Sequence, residues 1–209
     1  MRTTRKLPRK TKTVELGIHG EHVSPGDHIA LLWETPEEFT GAVGFLEVAI
    51  RGPEHAVIFG HPEANDRVCE ILTARGHDVL ALQRQGKLTI LMGVPKGDHM
   101  LDSIASAFQA AIDSGAKLIR LLGNIGWGHE NWPVEQEILA FEAKVTAAAR
   151  AFPCVVLCLY DVQALSGRII VHGAYKTHPL TICGNVLREN PYHVPLERFL
   201  DGMNAGAPV

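Results

Sequence analysis

Residues 155–161 read Val-Val-Leu-Cys-Leu-Tyr-Asp, an apolar run that ends in an aspartate. A short and nearly continuous apolar run is typical of a strand that is covered on both faces, here over Val155–Tyr160. Segments of helical period separate this run from others like it, which indicates repeated strand–helix–strand units. The predicted fold is therefore α/β with three layers, in which helices cover both faces of a mostly parallel sheet. The other predicted strands are Ile29–Trp33, Ala56–Phe59, Leu88–Met92, Leu118–Leu122 and Leu180–Cys183.

The segment after the first predicted strand carries a strong signal for the start of a helix. Thr35 and Glu38 have the spacing of a capping box, and Pro36 fits the first helical turn. An apolar stripe then predicts one helix, through Phe39, Val43, Leu46 and Ile50. Two further stripes predict helices that cover the sheet, one through Leu101, Ile104, Phe108 and Ile112, and one behind Pro133 through Val134, Ile138, Phe141 and Val145.

The chain has 209 residues, of which 46% are hydrophobic and 21% are charged, as in an ordinary globular protein. No apolar run reaches the length of about 18 residues that crosses a bilayer. The N-terminus lacks the apolar core of a secretory signal, so we expect a cytoplasmic protein without membrane association. In that compartment the four cysteines should remain thiols.

The predicted domain organisation is a flexible basic arm over residues 1–13, a single domain over 14–200 and a frayed C-terminus over 201–209. Residues 1–12 contain six basic residues and no acidic one, which leaves 14 basic against 23 acidic residues in the rest of the chain. Such an arm can contact nucleic acid, an acidic lipid surface or an acidic partner, or stay solvated. Nucleic acid is not otherwise expected as a partner.

In open parallel sheets, ligands bind where the carboxyl ends of the strands meet. Asp161 at such an end can bind a ligand or cap the segment that follows it. Residues 123–128, with three glycines, suggest a flexible pocket wall that includes Trp127, with Trp132 nearby. The residues at strand ends that predict the ligand site are Trp33, Glu34, His61, Asn124, Tyr160 and Asp161.

The sequence argues against nucleotide hydrolysis and dinucleotide binding. A strand that ends in aspartate is typical of P-loop ATPases, but their phosphate-binding loop also needs Gly-Lys-Ser/Thr. Residues 34–38 read Glu-Thr-Pro-Glu-Glu at that place, and three carboxylates would repel a triphosphate. No G-x-G-x-x-G loop follows a strand, and no G-x-S-x-G nucleophile motif occurs.

Histidines and cysteines raise the question of a metal site. Cys154 and Cys158 would lie roughly 13 Å apart along one strand, too far to share a zinc ion. No C-x-x-C or H-E-x-x-H motif is present, so we predict no metal ligand and no cofactor. A site assembled from distant residues, such as Cys158 with His61, His129 or His178, remains an alternative. Cys158 can also contact a small ligand, act as a redox-sensitive thiol or fill the core as a small hydrophobe.

Four motifs occur together in this chain. Residues 27–39 read Asp-His-Ile-Ala-Leu-Leu-Trp-Glu-Thr-Pro-Glu-Glu-Phe, and residues 158–161 read Cys-Leu-Tyr-Asp. Residues 177–179 read Thr-His-Pro, and residues 189–195 read Glu-Asn-Pro-Tyr-His-Val-Pro. With these motifs the chain, over about residues 22–200, resembles the MEDS domain, a sensory domain of methanogen and methylotroph regulators.

The resemblance implies a non-catalytic sensor on a RecA-like or KaiC-like scaffold that has no phosphate-binding loop. Members of the family are thought to recognise small hydrocarbon derivatives and to signal to a fused output, such as a helix-turn-helix or a histidine kinase. The positions that carry over as candidates for ligand contact or site architecture are His28, Cys158, Asp161 and His178. His28 begins its strand, so we expect it at the opposite end of the sheet from Asp161.

The sequence therefore predicts a sensory domain that binds a small organic ligand and relays the signal by protein contact. Residues 1–26 are too short for a DNA-binding domain, so we expect a separate partner to carry the output, with oligomerisation or the basic arm as other routes. The alternative function is a metal- or thiol-dependent redox protein or enzyme that uses Cys158, Asp161 and nearby histidines.

Overall fold

The computed structural model describes residues 13–93, 97–124, 133–184 and 186–204. A seven-stranded sheet forms its middle layer, in the order β5-β4-β6-β7-β3-β8-β9, and a separate small sheet pairs β1 with β2. Every neighbouring pair in the large sheet is parallel except β8 with β9. The strands are β1 (Val14–Glu15), β2 (His22–Val23), β3 (His28–Trp33), β4 (His55–Gly60), β5 (Leu88–Met92), β6 (Ile119–Asn124), β7 (Cys154–Asp161), β8 (Leu180–Cys183) and β9 (Val186–Glu189).

All six strands predicted from apolar runs are present, two with the predicted bounds and four with bounds that shift by one or two residues. A π-helical segment, Ile170–Tyr175, continues directly from α7. The helices are α1 (Pro36–Ala42), α2 (Gly44–Arg51), α3 (Pro62–Ala74), α4 (Val79–Arg84), α5 (Gly97–Asp113), α6 (Glu135–Ala149), α7 (Gly167–Ile169) and α8 (Leu196–Asn204).

Side chains alternate along β7 and divide the core into two layers. Val155, Leu157 and Leu159 pack with residues of α1, α2 and α3, whereas Cys158 and Tyr160 pack with residues of α5, α6 and α8 on the other face. Residues of β3 and β4 alternate in the same way. The predicted three-layer α/β architecture is therefore confirmed.

Two predicted helices begin or end differently in the structure. The single helix predicted through Val43 is two helices, α1 and α2, that meet at this residue. Gly41 and Gly44 flank the break, and glycine is a weak helix former. Helix α6 starts at Glu135 rather than at Val134, whose side chain is 67% exposed.

Strands β1, β2 and β9 were not predicted, because they are too short and too polar to give an apolar run. A buried arginine, Arg120 on β6, holds the first of these elements in place. Its guanidinium donates hydrogen bonds to the carbonyl oxygens of Glu15 and Leu16, at 2.6 and 3.1 Å, and forms an ion pair with Glu54. The strand pair β1–β2 is thus anchored to the sheet by one desolvated side chain.

The end of the domain also differs from the prediction, because α8 runs on through Asn204 where a frayed C-terminus was expected from Asp201. The basic arm over residues 1–12, the predicted pocket-wall residues Trp127 and Trp132, His129, and residues 205–209 lie outside the described residues. All four cysteines are free thiols in the structure. In the described part of the chain, no helix is both long and apolar enough to cross a membrane.

Candidate functional site

The predicted site residues separate into two groups in the structure. Trp33, His61, Asn124 and Asp161 line a cleft at the carboxyl edge of the sheet, which we call the edge cleft. Glu34 belongs to neither group; it is exposed, and its backbone N–H donates to the Glu38 carboxylate at 2.7 Å. The second group lies between the sheet and α6 and comprises His28, Cys158, Tyr160 and His178.

The edge cleft has a volume of about 320 Å³ and opens between β3, β6, β7 and α3. Its walls combine aromatic and aliphatic side chains with a few polar groups, a mixture that is typical of small-molecule sites. The residues that line it are Trp33, Phe39, His61, Glu63, Ala64, Arg67, Asn124, Leu159, Asp161, Ala164 and Leu165.

The amide nitrogen of Asn124 is the polar group of this cleft that most clearly lacks a protein partner. The Asn124 side chain is buried, and no described residue accepts a hydrogen bond from its Nδ2 atom. A buried amide donor that is left unpaired costs free energy, so such a group commonly serves a ligand or water. The edge cleft therefore offers a donor that is ready for a polar ligand atom.

One wall of the edge cleft is a stack of a cation on two aromatic rings. The Arg67 guanidinium carbon lies 3.9 Å from the centre of the Phe39 ring and 5.2 Å from the centre of the Trp33 ring. The two rings meet edge to face with their centres 5.1 Å apart. These contacts hold the long Arg67 side chain in one orientation at the mouth of the cleft.

Asp161 lines the edge cleft and also caps the turn that follows β7. Its Oδ1 atom accepts hydrogen bonds from the backbone N–H groups of Gln163 and Ala164, at 2.9 and 3.1 Å. Both roles that the sequence left open for Asp161 are thus compatible with its position.

The start of α1 carries the capping box that the sequence predicted. The Thr35 hydroxyl accepts from the Glu38 N–H at 3.3 Å, and the Glu38 carboxylate accepts from the Thr35 N–H at 3.2 Å. A carboxylate thus occupies N–H groups at a helix N-terminus where a nucleotide-binding protein would place a phosphate. This feature supports the conclusion that a nucleotide phosphate does not bind there.

The second group gains a member that the sequence did not reveal, Glu142 on α6. We define the buried cluster as His28, Glu142, Cys158 and His178, all of them at most 3% exposed. His28 begins β3 and pairs in register with Val156, so it lies toward the end of the sheet opposite to Asp161, as expected. One atom from each of the four residues, a nitrogen, oxygen or sulfur, lies within 4.8 Å of the other three.

The Glu142 carboxylate is the centre of these contacts. Its Oε2 atom lies 3.4 Å from His28 Nε2 and 3.4 Å from His178 Nε2. Cys158 Sγ lies 3.8 Å from the same oxygen and 3.3 Å from His28 Nε2.

Hydrogen bonds outside the cluster determine the tautomer of each imidazole. His178 Nδ1 lies 3.1 and 3.0 Å from the carbonyl oxygens of Gly173 and Ala174, which can only accept, so Nδ1 carries the proton. The Thr146 hydroxyl donates to the carbonyl oxygen of Thr177 at 2.6 Å and must accept from His28 Nδ1 at 2.8 Å. Both neutral imidazoles therefore direct an unprotonated Nε2 into the cluster.

Burial controls the protonation of the cluster when no cation is bound. Desolvation lowers the pKa of His28 and of His178 to about 3 each, and raises that of Glu142 to about 7. The pKa of Cys158 is raised well above its usual value by burial and by the neighbouring Glu142. A metal-free cluster therefore favours uncharged groups.

Tyr160 borders the buried cluster and does not line the edge cleft. Its ring packs edge-on against the His178 ring with the centres 5.5 Å apart, and its side chain is fully buried. Burial and the adjacent Glu142 raise the pKa of its phenol well above the usual value.

A small apolar cavity of about 40 Å³ adjoins the buried cluster through Cys158. It lies between the sheet and helices α5 and α6, and the Cys158 side chain forms part of its wall. Its other lining residues, which include Phe59, Phe108, Phe141 and Phe152, are apolar, so this side of the cluster offers no charged side chain.

Glu142 could have been suspected from the sequence. It follows Phe141 on the stripe that Ile138 and Val145 mark as the buried face of α6, where an acidic residue is unusual. Nothing along the chain, however, indicates which partners this carboxylate would meet.

A comparison with protein families identifies the family of this chain. The family model described as MEDS, the MEthanogen/methylotroph, DcmR Sensory domain, matches residues 27–179. The chain belongs to the MEDS family. The matched part of this MEDS domain contains all residues of the buried cluster and every residue that lines the edge cleft.

The MEDS domain is similar to a transcription regulator and to solved structures of the same fold. The transcriptional repressor DcmR of Methylorubrum extorquens is 24% identical over 164 residues, which are 77% of this chain and 61% of the repressor. The crystal structure of a KaiC-like protein from Pyrococcus horikoshii OT3 matches with a TM-score of 0.59 at 17% identity, over 82% of this chain and 79% of that chain. This likeness confirms the expected KaiC-like scaffold.

Proposed function

We propose that this MEDS domain binds a small organic molecule in the edge cleft and relays its presence to a separate protein partner that carries a regulatory output. The family is a sensory one, and the similar protein DcmR is a transcriptional repressor. The observation that carries the proposal is the buried Asn124 amide, whose Nδ2 atom has no partner among the described residues, in a cleft of about 320 Å³.

The lining of the cleft determines the class of ligand that we propose. Trp33, Phe39 and Leu159 offer apolar surface, while Asn124 offers a hydrogen-bond donor and Arg67 a positive charge. Such walls suit a small molecule with a hydrocarbon part and one polar or anionic group. The volume is at the lower end of the range for ligand pockets, which favours a molecule of few atoms.

The proposed role is binding without catalysis. The Glu38 carboxylate caps α1 in place of a phosphate, and Asp161 uses Oδ1 to hold the turn after β7. Nucleophilic catalysis needs a nucleophile next to a general base, and neither arrangement places such a pair together.

A ligand in the edge cleft would contact three separate parts of the domain. Phe39 belongs to α1, Arg67 to α3, and Leu165 to the segment that follows β7. Ligand contacts that favour one arrangement of these parts shift the population of conformations toward it. The outer surfaces of α1 and α3 are therefore the proposed route by which the signal reaches a partner.

Thermal shift and calorimetry with a panel of short alcohols, amines, carboxylates and halomethanes test this function. A binder should raise the melting temperature, because its binding adds RT ln(1 + [L]/Kd) to the free energy of unfolding, where [L] is the free ligand concentration. Asn124→Ala should weaken binding about 3- to 10-fold, the value of one neutral hydrogen bond. Glu34→Gln, which changes an exposed side chain outside the cleft, should leave the Kd unchanged. Equal binding by the wild-type and Asn124→Ala proteins would refute the placement of the ligand.

The alternative, a redox protein or enzyme that uses Cys158 with Asp161, fits the geometry less well. The two side chains point to opposite faces of β7. Burial also raises the pKa of the Cys158 thiol well above its usual value, which opposes the thiolate that redox chemistry needs.

A further inference from the structure

We propose that His28, Glu142, Cys158 and His178 form a closed binding site for one divalent transition-metal ion, and that Zn²⁺ is the ion this ligand set favours. The four residues come from β3, α6, β7 and the segment before β8. None of the four residues lines the edge cleft, so the two sites are distinct.

Four of the six separations within the cluster match those of a tetrahedral metal site, and the other two are at most 4.8 Å. Bonds of about 2.0–2.3 Å to nitrogen, oxygen and sulfur place tetrahedral ligand atoms about 3.3–3.8 Å apart. The measured separations are 3.3 Å from His28 Nε2 to Cys158 Sγ, and 3.4 Å from each imidazole Nε2 to Glu142 Oε2. The fourth, from Cys158 Sγ to Glu142 Oε2, is 3.8 Å. A metal ion therefore fits among these atoms with little rearrangement.

Each imidazole is already oriented as a metal ligand. Metal-binding histidines usually donate the proton on the second ring nitrogen to a carbonyl or other acceptor, which leaves the coordinating nitrogen bare. His178 does so through the carbonyl oxygens of Gly173 and Ala174, and His28 through the Thr146 hydroxyl. Within the described residues, the fully buried His178 Nε2 receives no hydrogen bond as long as Glu142, whose Oε2 atom lies 3.4 Å away, is a carboxylate.

The charges of the ligand set also match a divalent cation. A Cys158 thiolate and a Glu142 carboxylate carry two negative charges, which a divalent ion neutralises inside a desolvated site. Two nitrogens, one sulfur and one oxygen are ligands that zinc accepts, and four protein ligands without a solvent position are typical of a structural site.

A metal ion here would join the central strands to the layer of α6. His28 and Cys158 lie on the neighbouring strands β3 and β7, Glu142 lies on α6, and His178 precedes β8. Because a structural metal binds the folded chain far better than the unfolded one, its binding adds directly to stability.

The competing arrangement is a metal-free, hydrogen-bonded cluster. In it the Cys158 thiol donates to His28 Nε2, and a protonated Glu142 donates to His178 Nε2. Both accounts use the same contacts, so metal content decides between them.

The first test is metal analysis of the full chain, purified without a histidine tag. Mass spectrometry should find about one equivalent of metal per chain. Replacement by Co²⁺ should give the intense visible bands of tetrahedral cobalt and a near-ultraviolet band of thiolate-to-cobalt charge transfer. X-ray absorption at the zinc edge of the wild-type protein should show that the metal has one sulfur neighbour and three nitrogen or oxygen neighbours.

Two cysteines on the same strand provide a matched pair of variants. Cys158→Ser should abolish the thiolate-to-cobalt band, whereas Cys154→Ser, whose buried thiol contacts the carbonyl oxygen of Ala149, should keep it. Circular dichroism checks that both variants fold. Glu142→Gln should lower the affinity for Co²⁺ while leaving the thiolate band in the residual complex.

The proposal is overturned if the wild-type chain contains no stoichiometric metal and takes up neither Zn²⁺ nor Co²⁺. It is also overturned if cobalt binds without a sulfur ligand, because an ion on surface histidines would then explain the metal. Neither result affects binding in the edge cleft, which Asn124→Ala tests separately.

Discussion

Cys158 and Asp161 share strand β7, yet their side chains serve opposite faces of the sheet. Cys158 contacts His28 and Glu142 in the layer of α6, while Asp161 joins Leu159 in lining the edge cleft. The Cys-Leu-Tyr-Asp motif therefore contributes to two sites, a buried one and an open one. This separation lets each site be altered without the other.

The Thr146 hydroxyl should control the metal affinity of the buried cluster, although it is not a proposed ligand. Thr146→Val removes the acceptor that holds His28 Nδ1–H at 2.8 Å. Loss of such an outer contact typically lowers metal affinity 10- to 100-fold. Competition with a chelating dye measures this Kd for Zn²⁺. Thr89→Val, which removes the corresponding hydroxyl from His55 at 2.9 Å, is the control and should not change it. Equal affinities would assign the Thr146 contact to packing alone.

Much of the fold could be predicted because each buried strand is a local apolar run. The helices at α1, α5 and α6 likewise follow stripes of apolar side chains that lie close together in sequence. The break at Val43 and the strand β9 were missed, since the first depends on two glycines and the second is a short, mostly exposed strand. The local pattern of apolar residues thus predicts which helices and strands form the layers better than it predicts where each of them begins and ends.

The sites were only partly predictable. Trp33, His61, Asn124 and Asp161 meet in the edge cleft because parallel strands end at one edge, which the sequence does indicate. Glu142 enters the buried cluster only through the packing of α6 on β3 and β7. The position of Glu142 next to His28, Cys158 and His178 depends on strand register and on helix placement, and a local sequence motif predicts neither.

Arg120 should contribute strongly to stability through its buried guanidinium. Arg120→Met leaves the carbonyl oxygens of Glu15 and Leu16 and the Glu54 carboxylate without their partner. We expect a loss of about 2 to 4 kcal/mol in the free energy of unfolding. Urea denaturation measures it. Arg51→Met, which removes an exposed partner of Glu47, should cost less than about 1 kcal/mol. Similar losses in the two variants would contradict this account.

His55 should make stability fall as the solution becomes acidic. Burial is the main reason that its pKa is lowered, and Lys87 adds to this effect, while the hydrogen bond to the Gly86 carbonyl oxygen at 2.9 Å opposes it. In the unfolded chain the pKa of His55 is about 6.5. As the pH falls below this value, the unfolded chain binds a proton that the folded chain does not, so the free energy of unfolding decreases until the pH reaches the lower pKa of the folded chain.

His55→Gln should therefore lose less stability than the wild type between about pH 7.5 and about pH 5. Urea denaturation at both values gives this difference, in which the contributions of the other histidines cancel. His22→Gln removes an exposed imidazole and serves as the control. If His55→Gln loses as much stability as the wild type between these two pH values, other groups cause the acid sensitivity.

Gly60 at the end of β4 should tolerate no side chain, because the backbone of β6 passes too close. A Cβ atom at Gly60 would meet the carbonyl oxygen of Asn124 at 2.6 Å and Asn65 Oδ1 at 2.9 Å. Gly60→Ala should therefore cost about 1 to 3 kcal/mol in urea denaturation and displace Asn124 in the edge cleft. Gly41→Ala, where a Cβ meets nothing within 4 Å in helix α1, should instead add about 0.5 to 1 kcal/mol. A neutral Gly60→Ala variant would show that β4 and β6 can separate, and that the position of Asn124 is less constrained than the close contact requires.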